Sequence, residues 1–176
     1  MFSKLNPVAA SERPDLLAPS TLAALSYVPS AQVFEIDPAL ADTETLCAEY
    51  GYPLDVMGNA VLVLGKREGQ QRQACAMTLA HRRLDVNGLI RRKLDVRKAS
   101  FAPMDYAVEV SGMEYGGITP VGLPADWPIW VDAAVADTPW LCIGSGVRRS
   151  KLILVGSELL NLPGAERIED LARDIA

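Results

Sequence analysis

Histidine and cysteine are scarce in this sequence, and their scarcity excludes several kinds of active site. Among 176 residues there are one histidine, His81, and three cysteines, Cys47, Cys75 and Cys142. The cysteines form no CxxC pair and are odd in number, so they predict neither a zinc site nor a disulfide framework. We expect them to be reduced thiols in the core.

The same scarcity argues against the common hydrolytic centres. A Ser-His-Asp triad would have to use His81, which lies between a predicted strand and a run of arginines. A metal centre would have mainly carboxylates as ligands, and no metal or cofactor is predicted. A hydrolase built from this sequence would therefore act by positioning and electrostatics rather than through a covalent nucleophile.

Long apolar runs are also missing. Residues 1–15 contain no apolar run of signal-peptide length, and no later stretch approaches the ~20 apolar residues of a membrane span. We therefore expect a cytoplasmic protein without a membrane partner. With 49% hydrophobic and 22% charged residues, the composition predicts one compact domain. Within it we expect an N-terminal arm and helix over residues 1–30, followed by the main domain over residues 31–176.

Positive charge is scarce in total but locally concentrated. The net charge of −5 argues against a dedicated nucleic-acid binder, because phosphate affinity comes from clustered Lys and Arg. Residues 81–100, however, contain seven basic residues against two acidic ones, and a second basic cluster comprises Arg148, Arg149 and Lys151. Residues 1–56 carry eight acidic residues against two basic ones, which suits a protein partner. The basic segments are either ordinary solvated surface or a phosphate-binding surface.

The pattern of apolar residues predicts strands and helices without strict alternation, which favours an α/β fold with a mixed, mostly antiparallel central sheet and flanking helices. Strands are predicted at 31–36, 60–64, 73–79, 129–135, 140–143 and 151–155, with a turn at 65–70. Helical segments are predicted at 13–27, where Pro19 interrupts the pattern, and at 43–50, 85–94, 103–110 and 165–176.

Two glycine-containing segments are the most informative candidates for a site. The first reads Tyr-Gly-Gly-Ile-Thr-Pro over 115–120, and the second reads Ile-Gly-Ser-Gly-Val-Arg over 143–148. Small residues let a backbone approach a ligand closely and aim N–H groups at a carbonyl or an oxyanion. The second segment is not a nucleophile elbow, and neither segment has Walker or dinucleotide-binding spacing. Each segment could also be a simple tight turn.

Five pieces of the sequence, in this order, resemble the YbaK and prolyl-tRNA deacylase family over about 31–162. They are the strand pair within 60–79, Arg83-Leu84-Asp85, the Gly-Gly-Ile-Thr-Pro segment, Ile129-Trp130-Val131-Asp132, and Gly144-Ser145-Gly146 followed by the strand at 151–155. The resemblance implies the editing-domain fold of that family and hydrolysis of mischarged aminoacyl-tRNA.

The mechanism that the resemblance implies uses water. The aminoacyl ester at the tRNA 3′ end would lie in a pocket between the glycine segments, and a ribose hydroxyl of the tRNA would help to activate the attacking water. The implied partners are aminoacyl-tRNA and, as a further candidate, an aminoacyl-tRNA synthetase. The residues assigned on this basis are Asn59, Gly117, Gly144, Ser145 and Gly146 as catalytic, Gly116, Ile118, Thr119, Pro120, Asp132 and Arg148 as substrate-binding, and Arg91, Arg92, Lys93 and Lys151 as tRNA-binding.

The sequence departs from the family at one position. Family members usually carry a lysine at the start of the first strand of the pair, and here Asn59 takes its place. An amide donates a hydrogen bond but brings no positive charge. Lys66 is on the order of 20 Å further along the strand, so Arg148 or Lys151 is the better candidate for a compensating charge.

Two alternatives to a deacylase stay open. The first is a non-catalytic tRNA- or protein-binding, regulatory module of the same fold that has lost the lysine. The second is a site for a small ester or an aminoacyl adenylate that involves no tRNA.

Overall fold

Within residues 5–175, which the computed structural model describes, the strands form three sheets. The strands are β1 (Val8–Ala9), β2 (Gln32–Glu35), β3 (Gly58–Arg67), β4 (Gln70–Leu79), β5 (Arg82–Leu84), β6 (Ala99–Phe101), β7 (Ile129–Asp132), β8 (Leu141–Gly144), β9 (Ser150–Leu154), β10 (Ala165–Ile168) and β11 (Ala172–Asp174). Most neighbouring strands are antiparallel, so the predicted mixed, mostly antiparallel α/β fold is confirmed.

The five-stranded sheet has the order β10-β7-β4-β3-β6. Its centre is the hairpin of β3 and β4, whose two-residue turn consists of Glu68 and Gly69, both with positive φ. This combination is typical of the tight turns that match the twist of a hairpin. β7 runs parallel to β4 and to β10. The predicted strand pair is therefore confirmed, with longer strands and a shorter turn than the sequence indicates.

The four-stranded sheet has the order β1-β2-β9-β8, and β5 and β11 form a small antiparallel pair. One large apolar cluster contains side chains of both larger sheets, among them Cys75 and Met77 of β4 and Leu152 and Leu154 of β9. The two sheets therefore share a core. Their strands meet directly where Met57, just before β3, pairs with Cys142 of β8.

The helices are short and lie between strands. They are α1 (Pro19–Ala23), α2 (Thr43–Tyr50), α3 (Arg91–Leu94), α4 (Met104–Ser111) and α5 (Ala133–Ala136), with a π-helical turn at Val86–Ile90 before α3. The Asp42 carboxylate accepts hydrogen bonds from the backbone N–H groups of Glu44 and Thr45 and so caps α2, which ends at the left-handed Gly51. None of the helices in residues 5–175 is long and apolar enough to cross a membrane.

Two predicted elements are wrong. The closing helix predicted at 165–176 is replaced by β10 and β11, because β7 and β5 offer edges with which these segments pair and the apolar positions Ile168, Leu171 and Ala172 become buried. The strand predicted at 129–135 ends at Asp132, and the alanine-rich residues after it form α5, in agreement with the helix propensity of alanine. Residues 13–27 are helical only in three short pieces.

Candidate functional site

A cleft of about 450 Å³ opens where the start of β3, the end of β8, and the two glycine segments meet. It brings together six residues that the sequence analysis assigns to a site, namely Asn59, Gly116, Ile118, Gly144, Arg148 and Lys151. Residues from elsewhere in the chain complete its lining, namely Ala41, Asp42, Thr43, Glu44, Gly58, Ala60, Val61, Ala80, Met104 and Tyr115. Ala60 and Val61 belong to the recognised strand pair and Tyr115 to the first glycine segment. Little in the sequence points to the others, because they are gathered by tertiary packing.

The two glycine segments interlock at one side of the cleft. The Gly146 N–H donates to the Gly117 carbonyl oxygen at 2.7 Å, and the Glu114 N–H donates to the Gly146 carbonyl oxygen at 2.9 Å. A Cβ on Gly144 would lie 2.4 Å from the Gly117 carbonyl oxygen, and a Cβ on Gly117 would lie 2.6 Å from that of Val147. Only glycine permits this approach, so these residues shape the cleft by bringing the two backbones together.

Ser145 stabilises its turn and does not line the cleft. The residue is fully buried, and its Oγ lies 2.7 Å from the Ser150 Oγ and 3.1 Å from the Ser150 carbonyl oxygen. Ser150 in turn donates to the Leu16 carbonyl oxygen at 2.6 Å, which ties the N-terminal segment to the turn. The Ser145 hydroxyl is therefore enclosed in a local network and is not presented to a ligand in the cleft.

Lys151 is the buried cation of the cleft. It lies on β9 directly opposite Gly144 of β8, and the absence of a side chain at Gly144 leaves room for the lysine on the shared face. Only 6% of Lys151 is exposed. Its Nζ donates to the carbonyl oxygens of Ala41, at 2.8 Å, and of Gly116, at 3.3 Å. Lys151 thus joins the segment before α2 to the first glycine segment.

Burial lowers the pKa of Lys151 below its ordinary value, because an ammonium loses solvation in this position. Cys142, Asp42 and Cys47 act in the opposite direction, whereas Arg148 adds to the lowering. Among residues 5–175, no carboxylate forms an ion pair with Lys151. The ammonium is therefore hydrogen-bonded only by backbone carbonyl oxygens, while the Asp42 carboxylate acts on it at longer range.

Asn59 lies on the β3 wall of the cleft and is half-buried. Its Oδ1 accepts a hydrogen bond from the Thr43 hydroxyl at 3.0 Å. This contact orients the amide and leaves the two Nδ2 hydrogens without a partner in the part of the chain that is described. Asn59 can consequently donate to a carbonyl or a hydroxyl bound in the cleft.

Arg148 and Tyr115 form one rim of the cleft. The Arg148 guanidinium lies 5.3 Å from the centroid of the Tyr115 ring, and its Nε donates to the Pro38 carbonyl oxygen at 3.0 Å. The Arg148 backbone N–H donates to a Glu114 carboxylate oxygen at 2.6 Å. Tyr115 is 55% exposed, and Met104, which also lines the cleft, is 49% exposed. The rim therefore presents a flat ring and an apolar side chain to solvent.

Several assigned residues lie outside the cleft lining. Thr119 and Pro120, at the end of the first glycine segment, are buried and do not line the cleft. Asp132 is fully buried, and its carboxylate pairs with the Arg82 guanidinium and accepts from the Ala172 N–H at 3.2 Å. Burial raises the pKa of Asp132, and these two partners oppose the shift. Asp132 thus joins the end of β7 to β11 and is positioned to support the fold around the site.

The predicted tRNA-binding residues lie in two places. Arg91, Arg92 and Lys93 form the first three positions of α3, where Lys93 pairs with Glu166 and lies 5.3 Å from the Trp130 ring centroid. Lys151, by contrast, lies within the cleft and contributes no exposed charge to that surface.

No group of three or more potential metal-binding side chains occurs within residues 5–175. The three cysteines are buried and free, and burial raises the pKa of Cys75 and of Cys142 to about 12. These thiols would remain protonated near neutral pH. His81 lies beside Asp174 and does not line the cleft. The polar side chains that line the cleft include the Asn59 amide, the Thr43 hydroxyl, the Asp42 and Glu44 carboxylates, the Arg148 guanidinium and the Lys151 ammonium.

Comparison with known proteins agrees with this architecture. The family model described as the aminoacyl-tRNA editing domain matches residues 37–162. A crystal structure of a candidate trans-editing enzyme for prolyl-tRNA synthetase is 22% identical, with a TM-score of 0.70 over 87% of this chain and 97% of that chain. A scaffold from epitope grafting by computational design is 20% identical, with a TM-score of 0.69 over the same shares. No curated protein sequence matches this chain significantly.

Proposed function

The chain belongs to the aminoacyl-tRNA editing domain family, and from this premise we propose that it is a trans-editing hydrolase that deacylates mischarged aminoacyl-tRNA in the cleft. Membership of the family supports a role in tRNA editing. The finer parts of the proposal, which are the reaction and the residues that perform it, rest on the geometry of the cleft.

One observation carries the proposal. Within the matched segment, the two glycine segments, Asn59 and a buried ammonium converge on a single cleft. Such a cleft offers hydrogen-bond donors and positive charge to a carbonyl oxygen. The nearby Ser145 hydroxyl is enclosed, so the arrangement suits direct attack by water rather than an acyl-enzyme.

The proposed reaction is the hydrolysis of the ester that joins the amino acid to the terminal ribose. A water oxygen bonds to the carbonyl carbon and releases one proton to the surrounding water, and the carbonyl π electrons move to the carbonyl oxygen to give a tetrahedral oxyanion. When this intermediate collapses, the bond to the ribose oxygen breaks and that oxygen takes up a proton. The products are the free amino acid and a tRNA with a free terminal hydroxyl.

We place the ester beside Asn59 and Gly144 inside the cleft and the terminal nucleoside at the rim. The exposed Tyr115 ring supports this orientation, because nucleobases stack on aromatic side chains. The remainder of the tRNA would extend over the surface and reach the basic residues of α3. A synthetase that releases mischarged tRNA is a candidate partner, and the cytoplasm, where tRNA is charged, is the proposed location.

The test is deacylation of a panel of correctly and incorrectly charged tRNAs by the purified protein. We expect one mischarged species to be hydrolysed selectively. Gly117→Ala should abolish the activity because the new Cβ would displace the backbone of the second glycine segment, and Asn59→Ala should weaken it. Gly69→Ala, in the open β3–β4 turn, is the matched glycine control and should stay active.

The alternatives predict different results from the same panel. A non-catalytic module would bind tRNA and hydrolyse none of the species. A site for small esters would hydrolyse an aminoacyl ester of a simple alcohol as fast as aminoacyl-tRNA, and uncharged tRNA would not compete. Either result would refute the proposed deacylase.

A further inference from the structure

The environment of Lys151 is unusual among the cations of this protein. Arg82 is 17% exposed and pairs with Asp132, and Lys93 is 29% exposed and pairs with Glu166. Lys151 is more buried than either, and within residues 5–175 it is bonded only to two backbone carbonyl oxygens. A buried ammonium without a carboxylate in hydrogen-bond contact costs free energy, and the Asp42 carboxylate offsets this cost only from a distance.

The position of Lys151 indicates how the charge is used. An ammonium has three N–H donors, and the carbonyl oxygens of Ala41 and Gly116 accept two of them. Both of these residues, like Lys151, line the cleft. The Nζ atom is therefore fixed between two parts of the cleft wall, with one donor left for a ligand. Gly144, its cross-strand neighbour, cannot cover it because it has no side chain.

We propose that Lys151 is the oxyanion-stabilising residue of the cleft, where its ammonium donates a hydrogen bond to the carbonyl oxygen of the bound ester. This inference rests on the proposed function. As water attacks, the carbonyl oxygen gains a full negative charge, which the fixed and largely desolvated ammonium meets at close range. Asn59, on the β3 wall, donates a neutral hydrogen bond from another direction. The buried positive charge of the catalytic step thus comes from β9, and the Arg148 guanidinium adds a second one at the rim.

The experiment compares Lys151→Gln and Lys151→Met with the wild type in deacylation of the species that the panel identifies. Gln keeps N–H donors for the two wall carbonyls without the charge, and Met keeps the length and removes both. If Lys151 stabilises the oxyanion, both variants lose about 100-fold in kcat, with KM changed less than threefold. Lys66→Met, which removes an exposed lysine at the far end of β3, is the control and keeps the wild-type kcat.

Other outcomes overturn the inference. If Lys151→Gln keeps the wild-type kcat, the lysine only joins the walls of the cleft. If KM rises while kcat is unchanged, Lys151 anchors a phosphate or the ground-state substrate instead. Thermal unfolding of each variant shows that the loss is not a loss of fold, and Lys151→Gln carries the test if Lys151→Met folds poorly.

A second variant separates charge from position. Asn59→Lys in the Lys151→Gln background returns an ammonium to the opposite wall of the cleft, and we expect it to recover at least tenfold in kcat. No recovery from a slow Lys151→Gln would show that the lost rate is not a loss of charge alone and would overturn the assigned role. If the wild type hydrolyses no charged tRNA at all, the proposed function itself fails, which is a result distinct from an active wild type with an equally active Lys151→Gln.

Discussion

Lys151 and Asp132 are both buried charged residues, and their surroundings differ. The difference distinguishes a residue that can bind a ligand from a residue that stabilises the fold. The Asp132 carboxylate has an Arg82 partner and a backbone N–H donor, so its charge is satisfied within the fold. The Lys151 ammonium is hydrogen-bonded to two carbonyl oxygens, has no carboxylate in direct contact within residues 5–175, and lines a cleft. Burial opposes the charged form of both residues, and of the two only Lys151 is left with an unused donor beside open space.

This difference changes how the family resemblance is applied to the chain. The resemblance assigns Asp132 to the substrate and Lys151 to a tRNA-binding surface. The structure gives Asp132 a position that ties β7 to β11, and it gives Lys151 a position inside the cleft. A buried charge therefore indicates function only when its hydrogen-bonding capacity is incompletely used by the protein itself.

The largest expected effect on stability is that of Arg82→Met. Removal of the guanidinium leaves the Asp132 carboxylate buried without its counter-ion, which should lower the free energy of unfolding by about 3 kcal/mol. Urea denaturation followed by circular dichroism measures this loss. The control is Arg167→Met, which breaks only exposed pairs with Asp137 and Glu169 and should cost under about 1 kcal/mol. Equal losses in the two variants would show that burial of Asp132 has no energetic weight.

Gly144→Ala should have an intermediate effect that combines stability with activity. Its Cβ would lie 2.4 Å and 2.5 Å from the carbonyl oxygens of Gly117 and Ile118, so the first glycine segment must move. We expect a loss of about 1–3 kcal/mol, as for other overpacked positions, and a loss of deacylation in the folded fraction. Urea denaturation measures the loss of stability, and single-turnover deacylation rates measure the loss of activity. Retention of full activity would mean that the cleft does not depend on the approach of the two segments.

A smaller effect is the pH dependence that Lys151 confers. Its pKa lies below the ordinary 10.5 in the folded protein because of burial, so between these two values the unfolded chain binds more protons. Wild-type stability, measured relative to Lys151→Met, should therefore rise as the pH is raised through this window. Cys142, Cys47, Asp42 and Arg148 are the titratable groups that also act on Lys151.

Catalysis should change in the opposite direction over the same window, because the oxyanion needs the protonated lysine. After subtraction of the spontaneous ester hydrolysis, kcat should fall as the pH rises through the Lys151 pKa, and Lys151→Arg should move that fall to higher pH. A kcat that is flat in the wild type over this range would contradict the assigned charge. Unfolding curves and deacylation rates at matched pH values provide the measurement.

The smallest effect on stability is expected from the basic residues of α3, of which Arg92 and Lys93 are exposed and Arg91 is half-buried. Replacement of Arg91, Arg92 and Lys93 by alanine should change the free energy of unfolding by about 1 kcal/mol or less. The same variant should bind tRNA more weakly and with a shallower salt dependence, because up to three phosphate contacts are lost. Filter binding over a range of salt concentrations measures both. Unchanged binding would remove α3 from the proposed tRNA surface.

Much of the architecture could be predicted from local sequence. The β3–β4 hairpin, α2 with its Asp42 cap, and α4 after Pro103 all have turn or capping residues that determine them within a few positions. The segment 165–176 could not be predicted in this way, because its strands depend on the edges of β7 and β5, which are distant in sequence. Pairing with such an edge overrides local helix propensity.

The candidate site also contains residues that could be predicted from local sequence and residues that could not. The two glycine segments and Asn59 could be identified from residue order, since each lies in a recognisable motif. The burial of Lys151 could not, because it depends on the pairing of β8 with β9 and on the absence of a side chain at Gly144. The contribution of residues 41–44 to the cleft likewise depends on how α2 packs against the start of β3.

The most direct test measures Lys151→Gln and Asp132→Asn side by side, in single-turnover deacylation and in thermal unfolding. We predict that Lys151→Gln unfolds near the wild-type temperature and hydrolyses the ester about 100-fold more slowly. Asp132→Asn should unfold at a lower temperature and, while folded, hydrolyse the ester at nearly the wild-type rate. The opposite assignment, with a slow Asp132→Asn and a fully active Lys151→Gln, would contradict the account of the two buried charges.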